Sequence, residues 1–144
     1  TPMPEDEVTR LLTLTEGNTL KAIEILEKQL NTLYARAQVL MSLAGVTLSI
    51  TGFSGRSIAA ANLAAQILVV CGLAVVLASA VWIYIRVMSI RWITAEAQPD
   101  TQAYLAGIIK RRNQKTVAYS VGGKILLFGL VLYCIAFSIM LLNL

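Results

Sequence analysis

Three long apolar runs constrain the fold of this chain more than any other feature of its sequence. They lie at about residues 37–53, 61–85 and 121–142. A helix needs roughly 20 apolar residues to cross a hydrocarbon core, and each run is close to or above that length. Hydrophobic residues make up 57% of the chain and charged residues only 14%, whereas about a quarter of an average soluble domain is charged. We therefore predict an all-α membrane protein with three transmembrane helices.

The N-terminal segment, residues 1–17, is predicted to form a short amphipathic helix followed by a turn. Gly17 can adopt the left-handed conformation that ends a helix, and Asn18 can cap the helix that follows. Residues 18–144 are then expected to form a three-helix transmembrane bundle.

The helices are predicted to be longer than the bilayer is thick. Nothing interrupts the helical pattern between Asn18 and Phe53, a length of roughly 54 Å at about 1.5 Å per residue, compared with roughly 30 Å for the hydrocarbon core. The second helix is expected to continue towards Ala97, within a cytosolic hairpin at about residues 86–120. The bundle as a whole is therefore expected to extend from the membrane into the cytosol.

Positive charge is distributed unevenly around the spans and predicts their orientation. Of the 12 Lys and Arg residues, all except Arg56 lie on one side of the spans or at that border. Trp82, Tyr84 and Trp92 lie near the same border, where aromatic side chains anchor a helix. The positive-inside rule then places the N-terminus in the cytoplasm and the C-terminus on the outer side. We expect the protein to reside in the bacterial inner (plasma) membrane.

Each apolar run carries a line of small residues at spacings of three, four or seven, which keeps the line on one face of a helix. In the first run the line begins at Ala35 and Gln38. Small residues allow close approach of helix backbones in lipid. We call these lines seams. They either hold the three helices together or leave a face for other subunits. The predicted packing seam comprises Ser42, Gly45, Ser49, Gly52, Ala65, Gly72, Ser79, Gly122, Gly129 and Ala136.

Reactive groups are scarce in this sequence, and no catalytic function is expected. The chain has no His, and neither a metal-ligand motif nor a nucleophile–base pair is recognisable. We therefore expect neither a cofactor nor a metal, and we do not expect an enzyme. Basic residues of the third helix are predicted to contact anionic headgroups of the inner leaflet instead of nucleic acid. These residues are Lys110, Arg111, Arg112 and Lys115.

The stretch at 111–133, RRNQKTVAYSVGGKILLFGLVLY, joins a basic helix to a Gly-rich span. In this stretch, and in the overall plan of about residues 30–142, the chain resembles the SLATT and Pycsar-type small transmembrane effectors. The resemblance implies oligomerisation and loss of membrane integrity on activation. It assigns no binding residue.

The sequence therefore supports two functional hypotheses. The first is a non-catalytic inner-membrane protein that acts through helix packing, as a homo-oligomer or as an accessory or scaffold subunit of a larger membrane complex. The alternative is a membrane-perturbing or pore-forming effector of the SLATT/Pycsar type. In the first hypothesis, the expected partners are the lipid bilayer and either copies of the chain or other membrane subunits.

Overall fold

The computed structural model describes residues 3–55, 58, 60, 62–88 and 100–142. Within these residues the fold is all-helical, and four helices follow one another along the chain. They are α1 (Pro4–Leu14), α2 (Thr19–Phe53), α3 (Leu63–Arg86) and α4 (Thr101–Leu142). The last three are long and apolar enough to cross a membrane. α2 and α4 contain the first and third predicted spans, and α3 covers the second span from residue 63 onwards.

The turn between α1 and α2 has the geometry expected from its sequence. Gly17 has a φ of +79°, in the left-handed region that glycine adopts at low cost. The Asn18 side chain accepts a hydrogen bond from the backbone N–H of Lys21 at 3.3 Å, which caps α2. As expected, α2 then runs without interruption to Phe53.

α3 is shorter at both ends than the sequence suggested. It begins at Leu63, because the Asn62 side chain accepts a hydrogen bond from the backbone N–H of Ala65 at 2.9 Å. It ends at Arg86, and Val87 and Met88 are not helical. The carbonyl oxygen of Ile83 there accepts hydrogen bonds from two successive backbone N–H groups, at 2.8 and 3.1 Å, which closes the last turn. Residues 89–99, which include most of the expected continuation, lie outside the described residues.

α4 is a single helix of 42 residues that joins a polar half to an apolar half. Asp100 caps it, since its carboxylate accepts a hydrogen bond from the backbone N–H of Gln102 at 3.0 Å. The helix continues through Gly122 and Gly123. It is the central element of the fold, because each of the other three described helices packs against it.

The polar ends of the helices form a core of their own. Side chains of α1, the start of α2 and the start of α4 bury one another there. An ion pair closes this core, with Glu7 on α1 lying 2.7 Å from Arg112 on α4. Arg112 also donates a hydrogen bond to Gln29 on α2, so one guanidinium connects three helices. We call this cluster the α1–α2–α4 core. Its residues are Val8, Leu11, Ala22, Leu26, Leu30, Leu105, Ile108 and Ile109.

Candidate functional site

The closest helix contact in the spans is between α3 and α4. Six of the ten predicted seam residues are buried there: Ala65, Gly72 and Ser79 on α3, with Gly122, Gly129 and Ala136 on α4. A Cβ atom at Gly72 would lie 3.1 Å from both the Gly129 carbonyl oxygen and the Tyr133 backbone nitrogen. Because both neighbours are backbone atoms, they cannot rotate away from an added side chain. The two helices therefore approach so closely that a larger residue at this position would require one backbone to shift by a few tenths of an ångström.

Hydrogen bonds across the α3–α4 contact accompany this close approach. The buried Ser79 hydroxyl donates to the Gly122 carbonyl oxygen at 2.8 Å. One turn further along α3, the Trp82 indole N–H donates to the Ala118 carbonyl oxygen at 3.0 Å. Both bonds use carbonyl oxygens of α4 as acceptors, and together they fix the register of the two helices.

The other four predicted seam residues, Ser42, Gly45, Ser49 and Gly52, lie on the exposed surface of α2. Among the residues that the structure describes, none of the other helices comes within 4 Å of a Cβ atom added at Gly45 or Gly52. Ser42 and Ser49 donate hydrogen bonds to carbonyl oxygens of their own helix, at 2.9 Å each. Ala35 and Gln38, where this line begins, are exposed as well. Within one chain, these four residues therefore take no part in packing against α3 and α4. We call this surface, at residues 35, 38, 42, 45, 49 and 52, the outer face of α2.

α2 contacts the rest of the bundle through a different set of small residues. Ala37 packs in a cluster with Ile83 and Ala118, and Ala44 packs in a cluster with Val76 and Leu126. Towards the end of α2, the Thr51 hydroxyl donates a hydrogen bond to the Tyr133 hydroxyl at 2.6 Å. These residues were not predicted as packing positions. Ala37, Ala44 and Thr51 nevertheless lie seven apart, which is the spacing that identified the seams of α3 and α4.

The four basic residues predicted to contact lipid headgroups occupy three different environments. Lys110 is exposed, whereas Arg112 forms the ion pair with Glu7 at the edge of the α1–α2–α4 core. Arg111 and Lys115, one helical turn apart, are buried with only 8% and 5% of their surfaces exposed. The structure therefore does not place the four cations on one lipid-facing surface.

Arg111 and Lys115 line an open cavity of about 550 Å³ between the end of α3 and the middle of α4. Arg86 lines the same cavity from α3, although the sequence did not single it out. The Arg86 guanidinium lies 5.2 Å from the centre of the Trp82 ring, within the range of a cation–π interaction. A spacing of four residues between an aromatic and a basic residue at the end of a span was the available sequence signal. We call this site the basic cavity.

No family model, no curated protein and no solved structure matches the chain.

Proposed function

We propose that this protein is a non-catalytic inner-membrane protein that assembles with copies of itself through the outer face of α2. The observation that supports the proposal most strongly is the environment of Gly45 and Gly52. Both lie on the surface of a helix long and apolar enough to cross a membrane, and no atom of the other described helices lies within 4 Å of an added Cβ. Lipid contact does not require a small residue, whereas contact with a second helix does.

The two flanks of α2 differ in the way that helix assembly predicts. The outer face carries glycine, serine, alanine and one amide, that of Gln38. Around the helix from this face, larger side chains are exposed: Val39, Leu43, Val46 and Ile50. Branched apolar side chains suit contact with acyl chains, while small residues and amides suit a helix–helix contact. The contrast favours the outer face as the assembly surface.

Much of the span surface remains available for such contacts. Within the most apolar window of each long helix, 22–28% of the residues are buried inside the chain. In lipid there is little hydrophobic force to hold helices together, so association depends on packing and hydrogen bonds. A second copy would supply the packing that one chain does not provide on this side of α2.

The proposed orientation has the N-terminus in the cytoplasm and the C-terminus outside. The distribution of Lys and Arg supports it, since Arg56 alone lies on the opposite side of the spans. In this arrangement the α1–α2–α4 core projects into the cytosol. α2 has 35 residues, or about 52 Å at 1.5 Å per residue, so its first half extends beyond the roughly 30 Å of the hydrocarbon core.

Native mass spectrometry of the full chain, released from lipid nanodiscs, tests the assembly. The expected result is a single species whose mass is a fixed multiple of the single-chain mass. A single-chain mass at every protein concentration would contradict self-assembly. A constant complex with a different membrane protein would contradict it too, and would favour the accessory-subunit interpretation.

Membrane potential separates the proposal from the effector alternative. If the protein acts only through helix packing, its induced expression leaves the fluorescence of a potential-sensitive dye unchanged. Immediate depolarisation on expression, absent for a variant with an enlarged residue at Gly45, would favour a membrane-perturbing assembly.

A further inference from the structure

The basic cavity concentrates positive charge at the border between the polar and apolar parts of the bundle. Its polar lining comprises Arg86, Arg111, Gln114 and Lys115, and its apolar lining includes Trp82 and Val121. In the described part of the chain, the lining side chains include three cations and no carboxylate. A volume of about 550 Å³ lies within the range of small-molecule sites, which is roughly 300–1,000 Å³.

Two of the cations are buried, although burial of a charge is unfavourable without compensating contacts. The Lys115 ammonium donates a hydrogen bond to the Tyr34 hydroxyl on α2 and lies 4.6 Å from the centre of that ring. Arg111 lies one turn before it, on the same side of α4. Both residues of α4 contribute to the lining of the cavity.

The third cation, Arg86, is exposed at the mouth of the cavity. Its guanidinium rests against the Trp82 ring, and the Trp82 indole is fixed by its hydrogen bond to Ala118. Arg86 is thus oriented by the protein while its remaining N–H donors stay accessible. A planar guanidinium in this setting is well suited to a phosphate group, which it can bind through two parallel hydrogen bonds.

The position of the cavity along the bundle matches that of a lipid headgroup. The apolar run of α3 ends at Arg86, and the apolar half of α4 begins near Val117 and Val121. Trp82, whose ring adjoins the cavity, belongs to the residue types that concentrate at the membrane interface. Basic cavities between transmembrane helices at this level are known sites for anionic headgroups.

We propose that the basic cavity binds the phosphate of an anionic phospholipid. Arg86 donates hydrogen bonds to the phosphate oxygens, and the positive charges of Arg111 and Lys115 in the cavity lining add to the attraction. The inference depends on the proposed insertion of the chain in a membrane, but it does not depend on assembly through α2. Phosphatidylglycerol is the simplest probe, because it carries one phosphate negative charge and no compensating amine.

Competitive lipid binding, measured by native mass spectrometry on the full chain in mild detergent, tests the site. The probes are phosphatidylglycerol and phosphatidylcholine at equal concentration, with acyl chains of matched length. Arg86→Gln removes the accessible cation, whereas Lys110→Gln removes an exposed cation of α4 that does not line the cavity. The wild type should retain phosphatidylglycerol preferentially. Arg86→Gln should weaken that binding about fivefold, as expected for the loss of one cation near an anionic lipid, while Lys110→Gln should not.

Three results would overturn the proposal. The wild type could bind both lipids equally, or the two variants could weaken binding to the same extent, which would indicate diffuse surface charge. Alternatively, inorganic phosphate could displace phosphatidylglycerol completely and bind equally well without lipid, which would identify a free anion as the ligand. Far-ultraviolet circular dichroism of both variants verifies that each remains folded. The native mass spectra also record the assembly state, so failure of lipid binding is distinguishable from failure of the proposed assembly.

Discussion

Replacing Gly129 with leucine is expected to force α3 and α4 apart and to unfold the transmembrane bundle at a markedly lower temperature. An added Cβ at Gly129 would lie 2.9 Å from Cγ2 of Val76 and 3.1 Å from the Val76 backbone nitrogen. The Val76 side chain can rotate, but the backbone nitrogen moves only if the whole helix moves. Overpacking of this kind costs about 3 kcal/mol, the upper part of its usual range, and lowers the melting temperature by roughly 10 °C.

Gly45→Leu provides a matched control for Gly129→Leu, because the same side chain is added within another long apolar helix. A Cβ at Gly45 lies more than 4 Å from the other helices in the described part of the chain, so the bundle of a single chain should tolerate the change. Thermal unfolding of the two variants in a dissociating detergent measures the difference. Equal melting temperatures would show that Gly129 does not lie at a close helix contact.

Gly45→Leu should have its own large effect, on self-association instead of on folding. In the proposed assembly, the leucine side chain holds the outer face of α2 away from the helix of the next copy. An overpacking cost of about 1–3 kcal/mol corresponds to a dissociation constant raised roughly 5- to 150-fold. Sedimentation equilibrium in a mild detergent, at a series of protein concentrations, measures this constant.

The control for the self-association measurement is Val46→Leu. Val46 is the next residue along α2, is 54% exposed and lies outside the outer face. The substitution adds a single methylene to a side chain that the proposal places against lipid, so the dissociation constant should stay within twofold. If Val46→Leu weakened the assembly as much as Gly45→Leu, the outer face would not be the contact surface.

The helical architecture could be predicted because its local signals are strong. Gly17 and Asn18 define the turn between α1 and α2, and Asp100 defines the start of α4. The end of α3 was harder to predict. The apolar residues Val87 and Met88 follow Arg86 and would suit a longer helix. The helix instead ends with two hydrogen bonds to the Ile83 carbonyl, for which the sequence carries no marker.

The direction in which each seam faces was only partly predictable. On α3 and α4, the small residues that lie seven apart are on the buried faces. On α2, the residues with this spacing that contact the bundle are Ala37, Ala44 and Thr51. The alternative line on α2 contains two glycines, Gly45 and Gly52, so its composition resembled the seams of α3 and α4 more closely. One sequence cannot distinguish a seam that meets its own chain from a seam that meets another, since both need small residues.

The basic residues of α4 show why adjacency in sequence is a poor guide to a shared site. Lys110, Arg111 and Arg112 are consecutive, but each residue of a helix is turned by about 100° from the last. Lys110 is therefore exposed to solvent, Arg111 lines the basic cavity, and Arg112 pairs with Glu7 at the edge of the α1–α2–α4 core. Lys115 shares the environment of Arg111 because a separation of four residues returns to the same side of the helix.

Cysteine crosslinking in native membranes tests the proposed assembly through the outer face of α2 most directly. Cys71 and Cys134 are exposed free thiols, so the experiment uses a background in which both are replaced by serine. Single cysteines are then introduced by Gly45→Cys and Ser49→Cys on the outer face, and by Leu43→Cys and Ile50→Cys on the bulky flank of the same helix. Mild oxidation should produce a covalent dimer from each of the two outer-face variants and none from either variant of the bulky flank. Equal crosslinking at all four positions, or crosslinking confined to Leu43→Cys and Ile50→Cys, would contradict the proposed assembly.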